Sequence, residues 1–335
     1  MDQVRPRVAV SSCLLGEPVR YNGGHSRDRF LSGALSDHVE WVPICPEMEI
    51  GLGSPRETLR LERGPDGPRL MTRRTRTDLT APMASLATAR AAALDVDGYV
   101  FKAKSPSCGI HGIPIYASSG TPDGPEAAAD AAAAPASGNV VDRRGRGLFA
   151  GAVMDAHPSL PVEDEGRLHD AVLREAFVER IFAVARLRSL LKSDWRPHDL
   201  VAFHARHKMQ LLAHAPDAYR GLGRIVAEAG ARPHDTLAVS YSEAFRTALA
   251  AKATIGRNVN VLHHCLGMIS DHLDPARRAD LVEVIESYQA RRVALCVPVT
   301  LLRHHARGEG AAYVRDQTYF SPYPEDLGLR NHVVS

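Results

Sequence analysis

Val8-Ala9-Val10-Ser11-Ser12-Cys13-Leu14-Leu15-Gly16 is a short apolar run that ends on a small polar pair, a cysteine and a glycine. Two later segments follow the same pattern, Pro43-Ile44-Cys45-Pro46-Glu47 and Lys104-Ser105-Pro106-Ser107-Cys108-Gly109-Ile110. A brief apolar run bounded by Gly, Pro and Ser reads as a buried strand, so each of these cysteines is expected just past a strand end. If the strand ends share one edge of a sheet, three thiols meet there. The other two cysteines, Cys265 and Cys296, lie among helix-forming residues and form a background.

Val8–Ser11, Trp41–Ile44, Thr58–Leu61 and Tyr99–Lys102 are expected as strands, with helix-like stretches at Arg29–Val39 and Ala81–Leu94 between them. Such alternation predicts a small layered α/β sheet for residues 1–160. Residues 117–145 turn to Ala, Gly, Pro, Ser and Asp and are expected as a flexible surface insertion, with at most a marginal helical turn in Ala127–Pro135. Residues 161–196 read as a connecting helix, acidic at its start and basic at its end, with Leu168, Val172, Phe177, Ile181, Val184, Leu187 and Leu191 at helical spacing. From 197 to 335 almost everything has helical period, which predicts an all-α C-terminal domain closed by an extended tail around Tyr319–Pro324.

The 335 residues suffice for two domains with separate cores. Hydrophobic residues make up 44% and charged residues 24%, the balance of an ordinary globular protein. No apolar run reaches bilayer length and no signal-peptide core follows Met1, so no membrane association and a cytoplasmic location are expected. Five cysteines, an odd number without an export signal, favour free thiols, metal binding or catalysis over a disulfide framework. Residues 1–194 carry 24 Lys/Arg against 25 Asp/Glu, residues 195–335 carry 17 against 14, and the second part holds 11 of the 16 histidines. That half is mildly basic, which suits a polyanionic partner. Nothing in the sequence fixes the oligomeric state.

A thiolate at a strand end or helix start is favoured by free backbone N–H groups. Around Cys108, Ser105-Pro106-Ser107 offers N-cap residues and Gly109 allows close backbone approach. Structural zinc asks for four ligands and catalytic zinc mixes thiolate with His or carboxylate; three thiols without a fourth point to another centre. An iron–sulfur cluster is held by cysteines, and three of them on four irons leave one iron open. Buried small hydrophobes are the competing reading, the better one for any single cysteine.

Ser12-Cys13-Leu14-Leu15-Gly16 with Val19-Arg20-Tyr21-Asn22-Gly23-Gly24, then Cys45-Pro46-Glu47, Gly51-Leu52-Gly53, Pro55-Arg56 and Lys104-Ser105-Pro106-Ser107-Cys108-Gly109, resemble the thiouracil desulfidase (TudS) family over residues 5 to 160. The resemblance implies a [4Fe-4S] cluster on Cys13, Cys45 and Cys108, with a substrate thiocarbonyl sulfur on the free iron and water replacing it without net redox change. Some relatives have a further cysteine where this chain has Val19, which suits three ligands. The resemblance also implies Glu47 as the base that activates water and Ser105 as an assisting group, while Ser107 reads as a cap. Arg20, Tyr21 and Arg56 are candidates to grip a ring or phosphate, and each fits a local structural role equally well.

In the helical half, Phe203-His204 with His207-Lys208, Asn260-Val261-Leu262-His263-His264, Pro298–Leu302 and Tyr323-Pro324 with Leu329–Asn331 resemble the helical YbgA-type domain. At helical spacing Asn260 and His264 share a face, as do His204 and Lys208. Helix-packing histidines are the plainer reading for each one. As a group, with Tyr219, Tyr241, Tyr288 and Tyr319, they suit a phosphate backbone and base stacking. The fusion resembles the tRNA 4-thiouridine desulfidases (RudS), and implies tRNA as partner. The expected function is therefore non-redox replacement of the 4-thiouridine sulfur in tRNA by oxygen, with release of sulfide. Desulfidation of free thiouracil or thionucleosides is the same-chemistry alternative, and a cluster-bearing RNA-binding or redox-sensing protein without turnover is the different-class one.

Overall fold

Val8, Ala9 and Val10 are fully buried because they form an inner strand of a parallel sheet, covered on both faces. A computed structural model describes residues 4–118, 139–308 and 311–333, and the chain divides into two units, Arg7–His169 and Asp170–Ser335 together with Met1–Pro6. In the first unit, β1 (Arg7–Ser11) pairs in parallel with β2 (Glu40–Ile44) on one side and β5 (Gly98–Phe101) on the other. Strand β8 (Val162–Asp164) adds to β5, so the sheet runs β2-β1-β5-β8 with all pairings parallel. Ser11 sits opposite Ile44, and Val10 opposite Val100, so three strands end at one level.

A second sheet was not expected. The Thr58–Leu61 run does form a strand, β3 (Leu59–Arg63), but it turns through Gly64–Gly67 into β4 (Pro68–Thr72) and leaves the first sheet. Strand β6 (Ile113–Tyr116) lies parallel to β3, and β7 (Val140–Gly145) antiparallel to β6, giving the order β4-β3-β6-β7. Strand β7 thus occupies the end of the expected insertion 117–145; residues 119–138, including Ala127–Pro135, lie outside the described residues. Of the two expected helices, α3 (Thr80–Ala92) forms as read, packing Met83, Ala87 and Ala91 inward. Arg29–Val39 does not hold one helix: α1 (Arg29–Ser32) is capped by Asp28 and ends at Gly33, and one 3-10 turn (Ser36–His38) follows. A four-residue helix, α2 (Pro46–Glu49), follows β2, and α4 (Leu148–Ala156) follows β7.

The expected connecting helix 161–196 starts later, at Ala171, because Val162–Asp164 is a strand of the first sheet and Glu165 is held by Lys102. This helix, α5 (Ala171–Lys192), is N-capped by Asp170 and groups with the helical unit. Phe177, Ile181, Val184 and Leu187 are buried along it as the spacing predicts, and Glu179 is buried with them. The rest of the unit is α6 (Pro197–Arg206), α7 (Lys208–His214), α8 (Pro216–Ala227), α9 (His234–Ala250), α10 (Ile255–Ile269), α11 (Pro275–Gln289), α12 (Cys296–Gly308) and α13 (Ala312–Arg315). The expected extended tail contains a 3-10 turn, Thr318–Phe320, whose Tyr319 and Phe320 enter the core.

Three of the four tyrosines expected to stack on bases are core residues. Tyr241 is 0% exposed and its hydroxyl meets His204 Nδ1, while Tyr288 and Tyr319 bracket Asn258 through hydroxyl bonds of 3.1 and 3.0 Å. Helix-packing histidines are what the fold uses at His204, His207 and His214, all buried. Among the described residues no helix is long and apolar enough to cross a membrane.

Candidate active site

The parallel register of β1, β2 and β5 carries the three predicted cysteines to one edge. Cys13 lies in the 3-10 turn Ser12–Leu14 after β1, Cys45 is the N-cap of α2 after β2, and Cys108 closes the turn after β5. All three line a single cavity of about 370 Å³ at the carboxyl ends of the strands, the edge where open parallel sheets take ligands. Burial pushes the Cys13 thiol up to about 11 against the pull of Lys102, raises Cys45, and holds Cys108 well above the ordinary thiol range. Cys13 also feels the charge of Cys45, and Cys108 that of both Cys45 and Cys13.

The Cys108 turn is fixed by contacts distant in sequence. Leu148, Phe149 and Ala150 at the start of α4 donate their N–H groups to the carbonyls of Pro106 and Ser107, and Gly147 N–H donates to the Gly109 carbonyl at 2.7 Å. This docking needs two glycines: a Cβ on Gly109 would lie 2.2 Å from Ile113 Cδ1, and one on Gly147 only 2.5 Å from the Ser107 carbonyl oxygen. Ser11 completes the turn, accepting the Lys102 N–H at 2.9 Å while its hydroxyl bonds the Cys108 sulfur.

Glu47 stands on the cavity wall, two residues from Cys45. Its Oε2 accepts Arg56 Nε at 2.8 Å and also Arg56 Nη2, and its Oε1 accepts the Ser107 hydroxyl at 2.8 Å. Arg56 Nη1 donates to the carbonyls of Val19 and Gly53, each at 2.8 Å. The guanidinium is therefore a clamp that joins three loops behind the carboxylate. Arg20 and Tyr21, grouped with Arg56 in the sequence reading, are different: they flank the cavity, Arg20 stacks over the Tyr21 ring at 5.5 Å, and Tyr21 is 44% exposed.

Both serines are anchored in the Cys108 turn. Ser105 is the cap, its Oγ accepting the N–H groups of Ser107 (3.2 Å) and Cys108 (3.1 Å), yet it also lines the cavity. Ser107, read as a cap, is fully buried and spends its hydroxyl on Glu47. Two residues were missed. Lys102 lines the cavity, and Glu165 holds it from 63 positions away while accepting the Ala103 N–H at 2.7 Å. Lys102 sits next to Ala103-Lys104 in the motif segment, a visible signal; Glu165 looked like helix-start acid and had none.

A parallel α/β unit that delivers three thiols, a clamped carboxylate and a lysine to one cavity has the donor set of a thiolate-ligated catalytic centre. No three His, Cys, Asp or Glu side chains among the described residues close on one metal ion; a cluster instead needs thiolates that reach different irons, and thiols around one cavity fit that demand. Residues 8–165 match the family model described as 2-thiouracil desulfurase, and this unit belongs to that family. Residues 208–324 match the family described as "Protein of unknown function (DUF1722)". The chain is 29% identical over 153 residues to the uncharacterized protein YbgA of Escherichia coli (strain K12), covering 45% of this chain and 90% of that protein. It is also similar to the solved structure of a [4Fe-4S]-dependent thiouracil desulfidase, TudS, at 29% identity, covering 52% of this chain and all of that one with a TM-score of 0.36.

Proposed function

We propose that the chain is a [4Fe-4S]-dependent desulfidase that replaces the sulfur of 4-thiouridine in tRNA by oxygen. The observation that carries the desulfidase reading is the set of three thiols from adjacent parallel strands around one cavity, with Glu47 locked on its wall. Cys13, Cys45 and Cys108 would hold the cluster, which supplies an iron with affinity for a thiocarbonyl sulfur. Glu47 Oε1 has one bond, from Ser107, and keeps a lone pair with which to take a proton from water. The water oxygen bonds to the ring carbon, the carbon–sulfur bond breaks, and the sulfur leaves as hydrosulfide; no electrons are gained or lost overall. The Ser105 hydroxyl uses its oxygen on two backbone N–H groups and retains its own proton for the substrate.

A second cavity of about 190 Å³ supports a nucleotide over a free base. It shares Thr58, Leu59, Lys104 and Pro106 with the thiol cavity and adds Arg73 and Tyr116. Lys104 holds a positive φ of 60°, and neither its side chain nor that of Arg73 has an ion-pair partner among the described residues. Two such cations beside the cavity suit the phosphates that flank a base in RNA. Free thiouracil is the second reading, favoured by the family's description.

The test is anaerobic incubation of the reconstituted protein with 4-thiouridine-containing tRNA and with free thiouracil, following loss of thiocarbonyl absorbance. The tRNA reading expects kcat/KM for tRNA to exceed that for thiouracil by about tenfold or more, and Lys104→Ala to lower only the former. Equal turnover of thiouracil with no effect of Lys104→Ala supports base salvage instead; no turnover of either substrate removes the enzymatic reading.

A further inference from the structure

The helical unit has its own cavity, of about 430 Å³, larger than the one around the thiols. Its floor holds charged side chains rarely placed inside a protein: Glu179 is 5% exposed, Arg330 8% and His214 2%. The two carboxylates there are matched internally. Arg330 Nε donates to Glu175 at 2.9 Å and Nη2 lies 3.7 Å from Glu179, while Gln210 and Tyr323 donate to Glu179 and Glu175. His214 Nδ1 is bonded to the Ala251 carbonyl at 2.6 Å, and its Nε2 faces Glu179 Oε1 at 3.5 Å. Burial alone lowers the His214 pKa, yet Glu179 beside it outweighs that and raises it.

The rim is different. Lys252 and Arg291 both border the cavity, and neither side chain has a hydrogen-bond or ion-pair partner among the described residues. Arg291 is held at φ 59°, a region where an arginine is strained and glycine or asparagine would serve more cheaply. The same cavity is lined by the N-terminus of the 15-residue helix α10, with Thr254 as N-cap and Ile255 and Gly256 at its first two positions. The Thr254 hydroxyl is spent on Arg257 N–H, and a Cβ on Gly256 would meet nothing within 4 Å. Two cations at the rim, with Asp170 an acid whose charge Lys252 feels, and an open helix start thus face one concave space whose buried acids, Glu175 and Glu179, are already matched by Arg330 and His214. Such a surface attracts an anion and supplies donors to hold it.

We propose that this cavity is a phosphate-binding site, with Lys252, Arg291 and the first turn of α10 gripping the phosphate and His214 and Arg330 beneath it. The phosphate comes either from an RNA backbone or from a small phosphate ester. The site lies wholly within the helical unit and does not depend on the desulfidase reading.

The test titrates the full-length protein with inorganic phosphate and with uridine monophosphate by calorimetry, then repeats both on Gly256→Asp and on the Lys252→Ala/Arg291→Ala double variant. Aspartate at the second helical position suits the helix dipole and fills open space, so the fold stays intact while the anion is repelled. Affinity is expected to fall about tenfold or more in each variant, with thiouracil turnover unchanged. Displacement of uridine monophosphate by an unmodified tRNA transcript assigns the phosphate to RNA, and failure of the transcript to displace it assigns a small ester. Absence of phosphate and uridine monophosphate binding up to millimolar concentration, or equal affinity in wild type and both variants, overturns the proposal.

Discussion

Replacing Arg56 separates two roles that are indistinguishable in sequence, a grip on substrate and a clamp on Glu47. The Arg56 and Glu47 side chains are 7% and 14% exposed, and two guanidinium nitrogens bond the same carboxylate oxygen. Removing one partner of such a pair leaves a largely buried charge, which costs about 3–5 kcal/mol. Arg56→Ala also releases the Val19 and Gly53 carbonyls, while the remaining exposure and the Ser107 bond soften the loss, so we take about 3 kcal/mol as the expected destabilisation. With a urea dependence of about 2–3 kcal/mol per molar, the midpoint of the first unit should drop by about 1 M. A carboxylate free to swing from its position should lower kcat about a hundredfold and leave KM within about threefold. Arg56→Lys restores charge without the fork and should recover part of the stability but little of the rate. Urea titration, iron content and steady-state kinetics on each variant provide the readouts. A KM raised about tenfold with kcat and urea midpoint unchanged would refute the clamp and return Arg56 to the substrate.

Ser107→Ala removes the bond to Glu47 Oε1 from a fully buried position; kcat should fall about tenfold with iron content unchanged, and Ser105→Ala should by contrast loosen the Cys108 turn and lower iron retention. Gly147→Ala puts a methyl 2.5 Å from the Ser107 carbonyl and 2.8 Å from Cys108 N, so the urea midpoint and cluster retention should fall together, whereas Gly221→Ala, with open space around it, should change neither. In the helical unit, burial lowers His204 to about 4 and His207 to about 3. Both stay neutral when folded but take protons from about pH 6.5 downward when unfolded, so stability is full above that pH and declines as pH falls. From pH 7 to 5 the two together should cost about 4 kcal/mol, seen as a falling urea midpoint for the helical unit, and a His207→Phe variant should show about half that slope.

The three strand ends were legible because inner parallel strands are unbroken apolar runs, and Val8–Val10 and Tyr99–Phe101 are buried on both faces. The second sheet was not, because its strands carry the marks of loops: β6 contains Pro114, β7 reads Val-Val-Asp-Arg-Arg-Gly, and β4 begins at Pro68. What makes them strands is their pairing, with Ile113 opposite Gly145 and Leu61 opposite Ile115, a relation between distant segments. The site divides in the same way. Cysteine positions follow from local pattern, but the roles of Ser105 and Ser107 depend on which carbonyls α4 caps some 40 residues later. The base-stacking tyrosines failed for a related reason: aromatic residues at helical spacing serve a core as readily as a surface, and Tyr241, Tyr288 and Tyr319 are buried.

The three cysteines and Glu47 are one mechanical unit. Glu47 rides on α2 directly behind Cys45, and its bond to Ser107 ties that helix to the residue before Cys108. Ser11, two residues before Cys13, reaches across to Lys102 N–H and to the Cys108 sulfur, so the third thiol is joined to the same web. Arg56 closes the loop by binding Glu47 on one side and the Val19 and Gly53 carbonyls on the other, the former next to Arg20 and Tyr21 at the cavity edge. A change in any one of these contacts must therefore move a thiol and the carboxylate together. The proposed sulfur binding and water activation at one carbon need that coupling, since a base placed on an independent loop would not hold its distance to a substrate anchored through the cysteines.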